Sequence, residues 1–248
     1  MKKKFFAILL VMLALLTAFA GCSEKKDNNQ AVQDIVQKSS DWIFGDDVAF
    51  SACSYGITDL DQNGKPEVIA EYFDADKKII YTKIYITDEK GEIKECERKT
   101  AGKTFDEAYF DETVRYGKTC YYDAEANLYY YTYTRVTRVS KFEQYKQIIA
   151  FSLNGDVITE ELLATELELY NEEIEDVEYT YTDSKGNEID ENAYTNAAKN
   201  RYSDITEKTV SFGGFKGFTK EQNDELKGMS RSELEDILSK SFSKFVIG

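Results

Sequence analysis

The side chains best suited to chemistry lie together in one short segment, DLDQNGKPE, at residues 59–67. Oxygen-bearing side chains alternate along it, and alternate residues of a tight loop turn toward a common centre. Calcium in proteins takes about six to eight oxygen ligands, which a loop of this kind supplies. The segment therefore predicts a calcium site. Its expected ligands are the side chains of Asp59, Asp61, Asn63 and Glu67 and the carbonyl oxygen of Lys65.

The neighbours of these ligands fit a tight loop. Gly64 occupies the sixth position, where a sharp turn needs a positive φ angle that glycine adopts at little cost. Pro66, the single proline of the chain, restricts Lys65 to extended geometry and would help to direct its carbonyl oxygen. The loop is not an EF-hand, because the glutamate that an EF-hand requires at position 12 is replaced here by Ala70.

The segment resembles the strand–loop–strand calcium site of FG-GAP repeats, D-x-D-x-[DN]-G-x-x-[DE]. This resemblance implies side-chain ligation by Asp59, Asp61, Asn63 and Glu67, and it implies a binding loop rather than an activity. The stretch YGITDLDQNGKPEVIAEYF is also similar to a segment of secreted proteins and lipoproteins of Gram-positive gut bacteria. Two alternatives stay open, a site for another ion and a metal-free hairpin turn at Asn63-Gly64, since Asn-Gly is a strong turn sequence.

The composition excludes several classes of function. The chain contains no histidine, so Ser-His-Asp and Cys-His catalysis and histidine-ligated zinc are ruled out. Its 46 acidic residues outnumber its 31 basic residues, and the formal net charge is −15. Nucleic acid is therefore not an expected partner, because binding to phosphates requires an excess of Lys and Arg. No catalytic residue can be singled out, since acidic pairs occur throughout the chain.

The N-terminal residues predict export and lipid attachment. Three lysines at positions 2–4 precede the apolar stretch Phe5–Leu16, which is too short to cross a hydrocarbon core of ~30 Å comfortably. The run FAGC that ends at Cys22 resembles the lipobox of bacterial lipoproteins, although Phe19 stands where leucine is usual. The resemblance implies that residues 1–21 are a signal peptide and that Cys22 carries a diacylglycerol. A plain secretory signal and an uncleaved membrane anchor are the alternatives.

A lipidated Cys22 would place the protein on the extracytoplasmic face of a Gram-positive cell membrane, with the membrane itself as a partner. Two acyl chains give stable anchoring, whereas an acidic protein surface is repelled by anionic lipids. Residues 22–30 are polar and lack apolar periodicity, so we expect a disordered tether. Residues 31–248 are expected to form a single domain.

Hydrophobic periodicity predicts the elements that position the loop. A helix is expected at Ala31–Phe44, and strands at residues 50–58 and 67–73 flank the loop. A series of hairpins follows, of which the clearest is marked by Asn154-Gly155. A further strand is expected at Leu167–Thr182, although the acidic run NEEIED interrupts it.

Capping residues predict three later helices. Asp190 is the expected N-cap of the first, at about Glu191–Arg201. Thr219 with Gln222, and Ser230 with Glu233, are expected to form the capping boxes of the last two. The predicted fold class is therefore α+β, with antiparallel β-hairpins in a meander, an N-terminal helix and C-terminal helices.

Three cysteines remain after Cys22, at positions 53, 96 and 120, and none belongs to a C-x-x-C pair. We expect buried thiols, with a Cys96–Cys120 disulfide as the alternative. The function expected from these features is a membrane-anchored extracellular lipoprotein with a structural calcium loop, in a binding or structural role rather than an enzymatic one. One alternative is a module that binds a glycan or peptide through tyrosine-rich strands such as LYYYTYTRVTRVS. The other is a carboxylate-dependent hydrolase.

Overall fold

The computed structural model describes residues 28–45, 50–74, 79–101, 109–111, 118–172, 175–212 and 216–248. The predicted signal peptide and Cys22 lie outside these residues. The described helices are α1 (Asn28–Gln37), α2 (Glu191–Thr195), α3 (Ala197–Arg201), α4 (Lys220–Gly228) and α5 (Arg231–Phe242), with a 3-10 turn at Ser39–Asp41. No described helix combines the length and the apolar character that a membrane crossing requires.

Strands make up most of the regular structure. In chain order they are β1 (Ala52–Thr58), β2 (Glu67–Asp74), β3 (Ile79–Thr87), β4 (Ile93–Glu95), β5 (Glu97–Lys99), β6 (Tyr109–Asp111), β7 (Thr119–Asp123), β8 (Leu128–Arg138), β9 (Glu143–Asn154), β10 (Val157–Asn171), β11 (Asp176–Asp183), β12 (Glu188–Ile189), β13 (Thr206–Phe212), β14 (Lys216–Thr219) and β15 (Phe245–Ile247).

The fold is predominantly β, and the predicted α+β class is wrong. Among the residues that the structure describes, strands account for 50% and helices for 23%. The predicted helices are present but short: the one expected at Ala31–Phe44 ends at Gln37, and the one expected at about Glu191–Arg201 is divided into α2 and α3. The strand expected at Leu167–Thr182 is two strands, the end of β10 and most of β11, which pair as neighbours.

The strands pair in the order β12-β11-β10-β9-β8-β6-β3-β2-β1-β14. Most neighbours are antiparallel hairpin partners, as expected for strands joined by short turns. Two contacts are parallel, β3 with β6 and β5 with β10. A side branch runs from β8 through β7 and β13 to β15. The long β9–β10 hairpin turns at Asn154-Gly155, where Gly155 has a φ angle of 61°, and this predicted turn is confirmed.

The first part of β2, residues 67–71, is buried on both faces. Val68 and Ala70 belong to an apolar cluster with α1 and α5, which contains Val32, Trp42 and Leu238. Ile69 points the other way, because successive side chains of a strand alternate. It belongs to a second cluster beneath β8 and β9, which contains Leu60, Tyr131, Ile149 and Phe151. The loop that precedes β2 is therefore attached to a strand with apolar packing on each side.

The C-terminal helices contact the first strand. Ile57 of β1 donates its N–H to the Oγ atom of Ser241 in α5, at 3.1 Å. Asn223 of α4 accepts a hydrogen bond from the Tyr55 hydroxyl at 2.8 Å and donates one to the Phe44 carbonyl at 3.0 Å. These buried polar contacts fix the C-terminal helices against β1.

The predicted caps are confirmed. The Asp190 side chain accepts from the N–H of Ala193, and α4 and α5 both begin with complete capping boxes, at Thr219 and Ser230. The thiols of Cys53, Cys96 and Cys120 are free and buried, so the alternative of a Cys96–Cys120 disulfide is wrong. Burial raises the pKa of each thiol, to about 12 for Cys96, and keeps them protonated.

Candidate metal centre

The predicted loop joins two neighbouring antiparallel strands. Thr58, the last residue of β1, lies opposite Glu67, the first residue of β2. The residues between them form an eight-residue connection, which is longer than a tight two-residue hairpin needs. The chain therefore joins β1 to β2 by a wide loop that encloses a space, rather than by the shortest possible turn.

Three of the predicted ligands converge. Each of Asp59, Asp61 and Glu67 offers one carboxylate oxygen, and these three atoms all lie within 4.8 Å of one another. Asp59 and Asp61 are partly buried, whereas Glu67 is only 1% exposed. Among the described residues, no other group of three or more acidic or cysteine side chains is arranged closely enough to hold a metal ion.

The first half of the loop is fixed to the core through Leu60. The Leu60 side chain is fully buried, and its N–H donates to the Oε2 atom of Glu67 at 2.6 Å. The hydroxyl of Tyr131, on β8, donates to the Leu60 carbonyl oxygen. Thr58 adds a hydrogen bond to the same Glu67 oxygen at 3.3 Å. Both described hydrogen bonds of the Glu67 carboxylate thus go to one of its two oxygens.

The second half of the loop is held by hydrogen bonds to its acidic side chains. Asp61 accepts from the Asn63 N–H at 3.1 Å and from the Asn63 amide at 2.6 Å. Asp59 accepts from the N–H of Gly64 at 3.2 Å. Gly64 has a φ angle of 80°, in the left-handed region that favours glycine. This confirms the sharp turn that the sequence predicts at position 6.

Asn63 and Lys65 also lie at the cluster, and the side chain of Asn63 is turned away from a ligating position. The side-chain oxygen of Asn63 accepts the Lys65 N–H at 2.6 Å, while its amide nitrogen faces Asp61. Ligation by Asn63 therefore requires its amide to rotate. Lys65 lines a cavity of about 360 Å³ together with Asp61, Asn63 and Glu67, beside the expected position of its carbonyl ligand.

Ionisation of all three carboxyl groups of the cluster is electrostatically unfavourable. Burial raises the pKa of Asp59 to about 6, with a further contribution from Asp61, against the hydrogen bond from Gly64. Burial likewise raises the pKa of Asp61. The pKa of Glu67 lies well above its usual value because the group is buried and because Asp61 and Asp59 are close. A divalent cation bound at the cluster would lower the pKa of all three carboxyl groups.

The donor set fits calcium in its chemistry. Every candidate ligand is a hard oxygen, of the kind that calcium prefers to nitrogen and sulfur. The five predicted ligands leave room for water in a shell of about six to eight oxygens. These residues would hold the ion between the ends of β1 and β2 and neutralise the charge of Glu67.

Two turns that the sequence did not associate with the loop also reach the cavity. Asp88 and Glu89 come from the β3–β4 turn, and Asp156 comes from the β9–β10 turn. Asp156 forms an ion pair with Lys94, and Asp88 accepts the N–H groups of its own turn. No local pattern relates these residues to the loop, because strand pairing alone brings them together.

No protein-family model, curated protein or solved structure matches the chain.

Proposed function

We propose that this protein is a lipid-anchored extracytoplasmic protein of a Gram-positive bacterium, and that residues 59–67 bind calcium to fasten β1 to β2. The observation that supports this most directly is the position of Glu67, which is almost fully buried beside Asp59 and Asp61. A buried carboxylate is costly unless it is neutralised, paired or bound to a metal. Calcium would convert an unfavourable cluster into a fixed connection between the two strands.

The role of this calcium is structural. Asp59 and Asp61 are partly exposed, and extracellular calcium modules typically bind with a Kd of about 10⁻⁴ to 10⁻³ M. Such a site is filled at the millimolar calcium concentrations outside a cell and empties inside it. The loop would therefore become rigid after export.

Support for the anchor comes from the sequence at Cys22. Two acyl chains on that cysteine would hold the protein on the membrane, and the net charge of −15 gives it no electrostatic attraction to anionic lipids. Replacing Cys22 by serine should move the protein from the membrane fraction to the medium. Incorporation of labelled palmitate into the wild type but not into Cys22→Ser would identify the lipid. A wild-type protein that is released without lipid would contradict the anchor.

Thermal unfolding of the purified full-length chain tests the calcium loop. Calcium at 100 Kd should stabilise the wild type by ~2.7 kcal/mol relative to EDTA, which is about 5–10 °C in Tm for a chain of this size. The double variant Asp59→Asn, Asp61→Asn should lose this response. Magnesium at the same concentration should act weakly, because it demands shorter, near-octahedral coordination.

A matched double variant provides the control. Asp123→Asn, Glu125→Gln removes two carboxylates from the β7–β8 turn, where Asp123 accepts the N–H groups of Glu125 and Ala126. It changes the net charge by the same amount, so its calcium response should equal that of the wild type. An equal loss in both double variants, or no response of the wild type up to ~10 mM calcium, well above the expected Kd range, would reduce the loop to a metal-free turn.

A further inference from the structure

The strand β11 has an outer edge that is only partly paired. β12 covers it at Tyr181 and the next residue only. Asp183 donates its N–H to the Asn187 carbonyl on the same side. Because alternate residues of a strand direct their backbone groups to the same side, Tyr179 and Val177 also face outward. No described strand pairs with either of them there.

Three backbone groups of this edge are open among the described residues. The Val177 N–H donates to the side chain of Asp176 at 2.8 Å, so the open groups are the Val177 carbonyl and both the N–H and the carbonyl of Tyr179. An added strand would form hydrogen bonds with these groups. Such edges recruit extended peptides, with main-chain hydrogen bonds for affinity and side-chain contacts for specificity.

One face of the sheet next to this edge carries exposed aromatic rings. Tyr179 is 52% exposed and Tyr170 is 39% exposed, and the β10–β11 register puts them in diagonal positions on one face. The Tyr179 ring lies within 8° of parallel to that of Tyr181, and the Tyr170 ring within 11° of parallel to that of Phe142. We call these four residues the aromatic strip.

A lysine side chain of the protein itself already contacts the aromatic strip. The ammonium group of Lys141 lies 4.1 Å from the centre of the Phe142 ring and 2.9 Å from a carboxylate oxygen of Glu172. Acidic side chains are numerous around the rest of the edge. The exposed ones are Glu172, Glu175, Asp176 and Glu178. Ring faces and carboxylates both attract cations, so the uncovered rings of Tyr170 and Tyr179 favour a positively charged ligand.

We propose that the β11 edge and the aromatic strip bind an extended segment of a partner protein that is rich in Lys and Arg. Charge complementarity selects this occupant, because an anionic ligand would be repelled by the acidic edge. A glycan could stack on the rings but would leave the three open backbone groups without strand partners. A second copy of β11 would place acidic residues against acidic residues.

The tyrosine-rich strand β8, which the sequence offers as an alternative ligand platform, does not provide this surface. Tyr131 and Tyr133 are buried in the core beneath the sheet. The exposed rings lie instead on β10 and β11, where the sequence shows an acidic run and only scattered tyrosines.

Fluorescence anisotropy with a labelled octapeptide of alternating Arg and Thr tests the proposal on the full-length chain. The wild type should bind the peptide saturably, and an octapeptide of alternating Glu and Thr should not bind. Methylation of every second peptide nitrogen keeps the charge but prevents strand pairing. With the methyl groups in the phase that faces the edge, binding should weaken at least about tenfold, the loss of one or two backbone hydrogen bonds.

A pair of tyrosine variants separates the site from general attraction to an acidic protein. Tyr179→Ala should weaken binding about three- to tenfold, the contribution of one cation–π contact. Tyr122→Ala removes a partly exposed ring of β7 that stacks on Tyr129 of β8, and it should leave binding unchanged. Equal affinity of wild type and Tyr179→Ala, or binding that survives methylation in both phases, would overturn the proposal. The aromatic strip would be a glycan site instead if the wild type bound a neutral glucan hexasaccharide saturably and did not bind the peptide. Tyr179→Ala should then abolish the binding of the glucan.

Discussion

Arg135 and Glu160 form an ion pair inside the sheet, with 2.7 Å between the Nη2 atom of Arg135 and the Oε2 atom of Glu160 and with both side chains fully buried. The other carboxylate oxygen of Glu160 accepts hydrogen bonds from Arg98 and from the Tyr133 hydroxyl, each at 2.8 Å. Burial opposes ionisation of Glu160, but the charges of Arg98 and Arg135 outweigh it and hold its pKa below the usual value. The pair therefore stays ionised at neutral pH.

Removing one member of this pair should be strongly destabilising. Arg135→Met would leave the buried carboxylate of Glu160 without its fully buried cation, and we expect a loss of about 3–5 kcal/mol in the free energy of unfolding. Urea denaturation followed by circular dichroism measures the loss. Lys141→Met, which breaks the exposed Lys141–Glu172 pair, should cost less than about 1 kcal/mol. Similar losses in the two variants would show that burial does not determine the strength of the pair.

The metal-free loop should make stability fall as the pH rises. The folded-state pKa of Asp59 is about 6, above the usual 3.8, so the folded chain holds this proton more tightly than the unfolded chain. The resulting stabilisation is fully present below the unfolded pKa and is lost as the pH rises through the folded pKa. In EDTA, the wild type should therefore lose stability relative to Asp59→Asn between about pH 4 and pH 6.

Saturating calcium should reverse this difference. Calcium requires ionised carboxylates, so the wild type should gain stability over Asp59→Asn as the pH rises across the same range. Thermal scans of both proteins in EDTA and in calcium provide the four curves. A wild type whose stability relative to Asp59→Asn is independent of pH in EDTA would show that Asp59 titrates as an ordinary surface carboxylate.

Glu67→Gln should separate the calcium response from the fold. The pKa of Glu67 lies well above its usual value because the group is buried and close to Asp61 and Asp59, so the metal-free site disfavours its charge. A neutral glutamine removes that charge and can still accept the Leu60 N–H through its side-chain oxygen. The Tm in EDTA at neutral pH should therefore change little, whereas the rise in Tm with calcium should disappear. Glu71→Gln, at another buried glutamate of β2, should keep the calcium response. Its loss in both variants would mean that any change in β2 disables the loop.

Gly64→Ala should show the cost of the positive φ angle alone. No atom lies within 4 Å of the position that a Cβ atom would take, so the penalty is that of the left-handed backbone, about 1–2 kcal/mol. Gly228→Ala, at the end of α4, also meets no neighbour and should stabilise the chain by about 0.4–1 kcal/mol. Chemical denaturation measures both. Equal effects would show that the loop adopts another conformation at Gly64.

Local signals in the sequence predict the parts of the fold that a few neighbouring residues determine. The N-cap at Asp190 and the capping boxes at Thr219 and Ser230 depend on residues three positions away. The turn at residue 155 depends on the positive φ angle of Gly155 itself. The convergence of Asp59, Asp61 and Glu67 belongs to the same class, because one short loop and the strand that follows it bring the carboxylates together.

Contacts between distant residues account for what the sequence does not predict. β5 pairs with β10 and β14 with β1, and no local pattern encodes either pairing. β11 is exposed on both faces for much of its length, so it lacks the alternation that identifies a half-buried strand. In the candidate site, the role of Tyr131 was missed because it lies 71 residues from Leu60, whose carbonyl it binds.

The hydrogen bond between Ile57 and Ser241 joins residues 184 positions apart, and it has a consequence for biosynthesis. A chain that emerges N-terminus first exposes β1 long before α5 exists to cover it. The apolar face beneath Trp42 and Tyr55 must therefore remain open to chaperones and proteases until α5 has been synthesised. A ribosome that stalls before Arg231 would release a chain with an uncovered core, which quality control can recognise by its apolar surface.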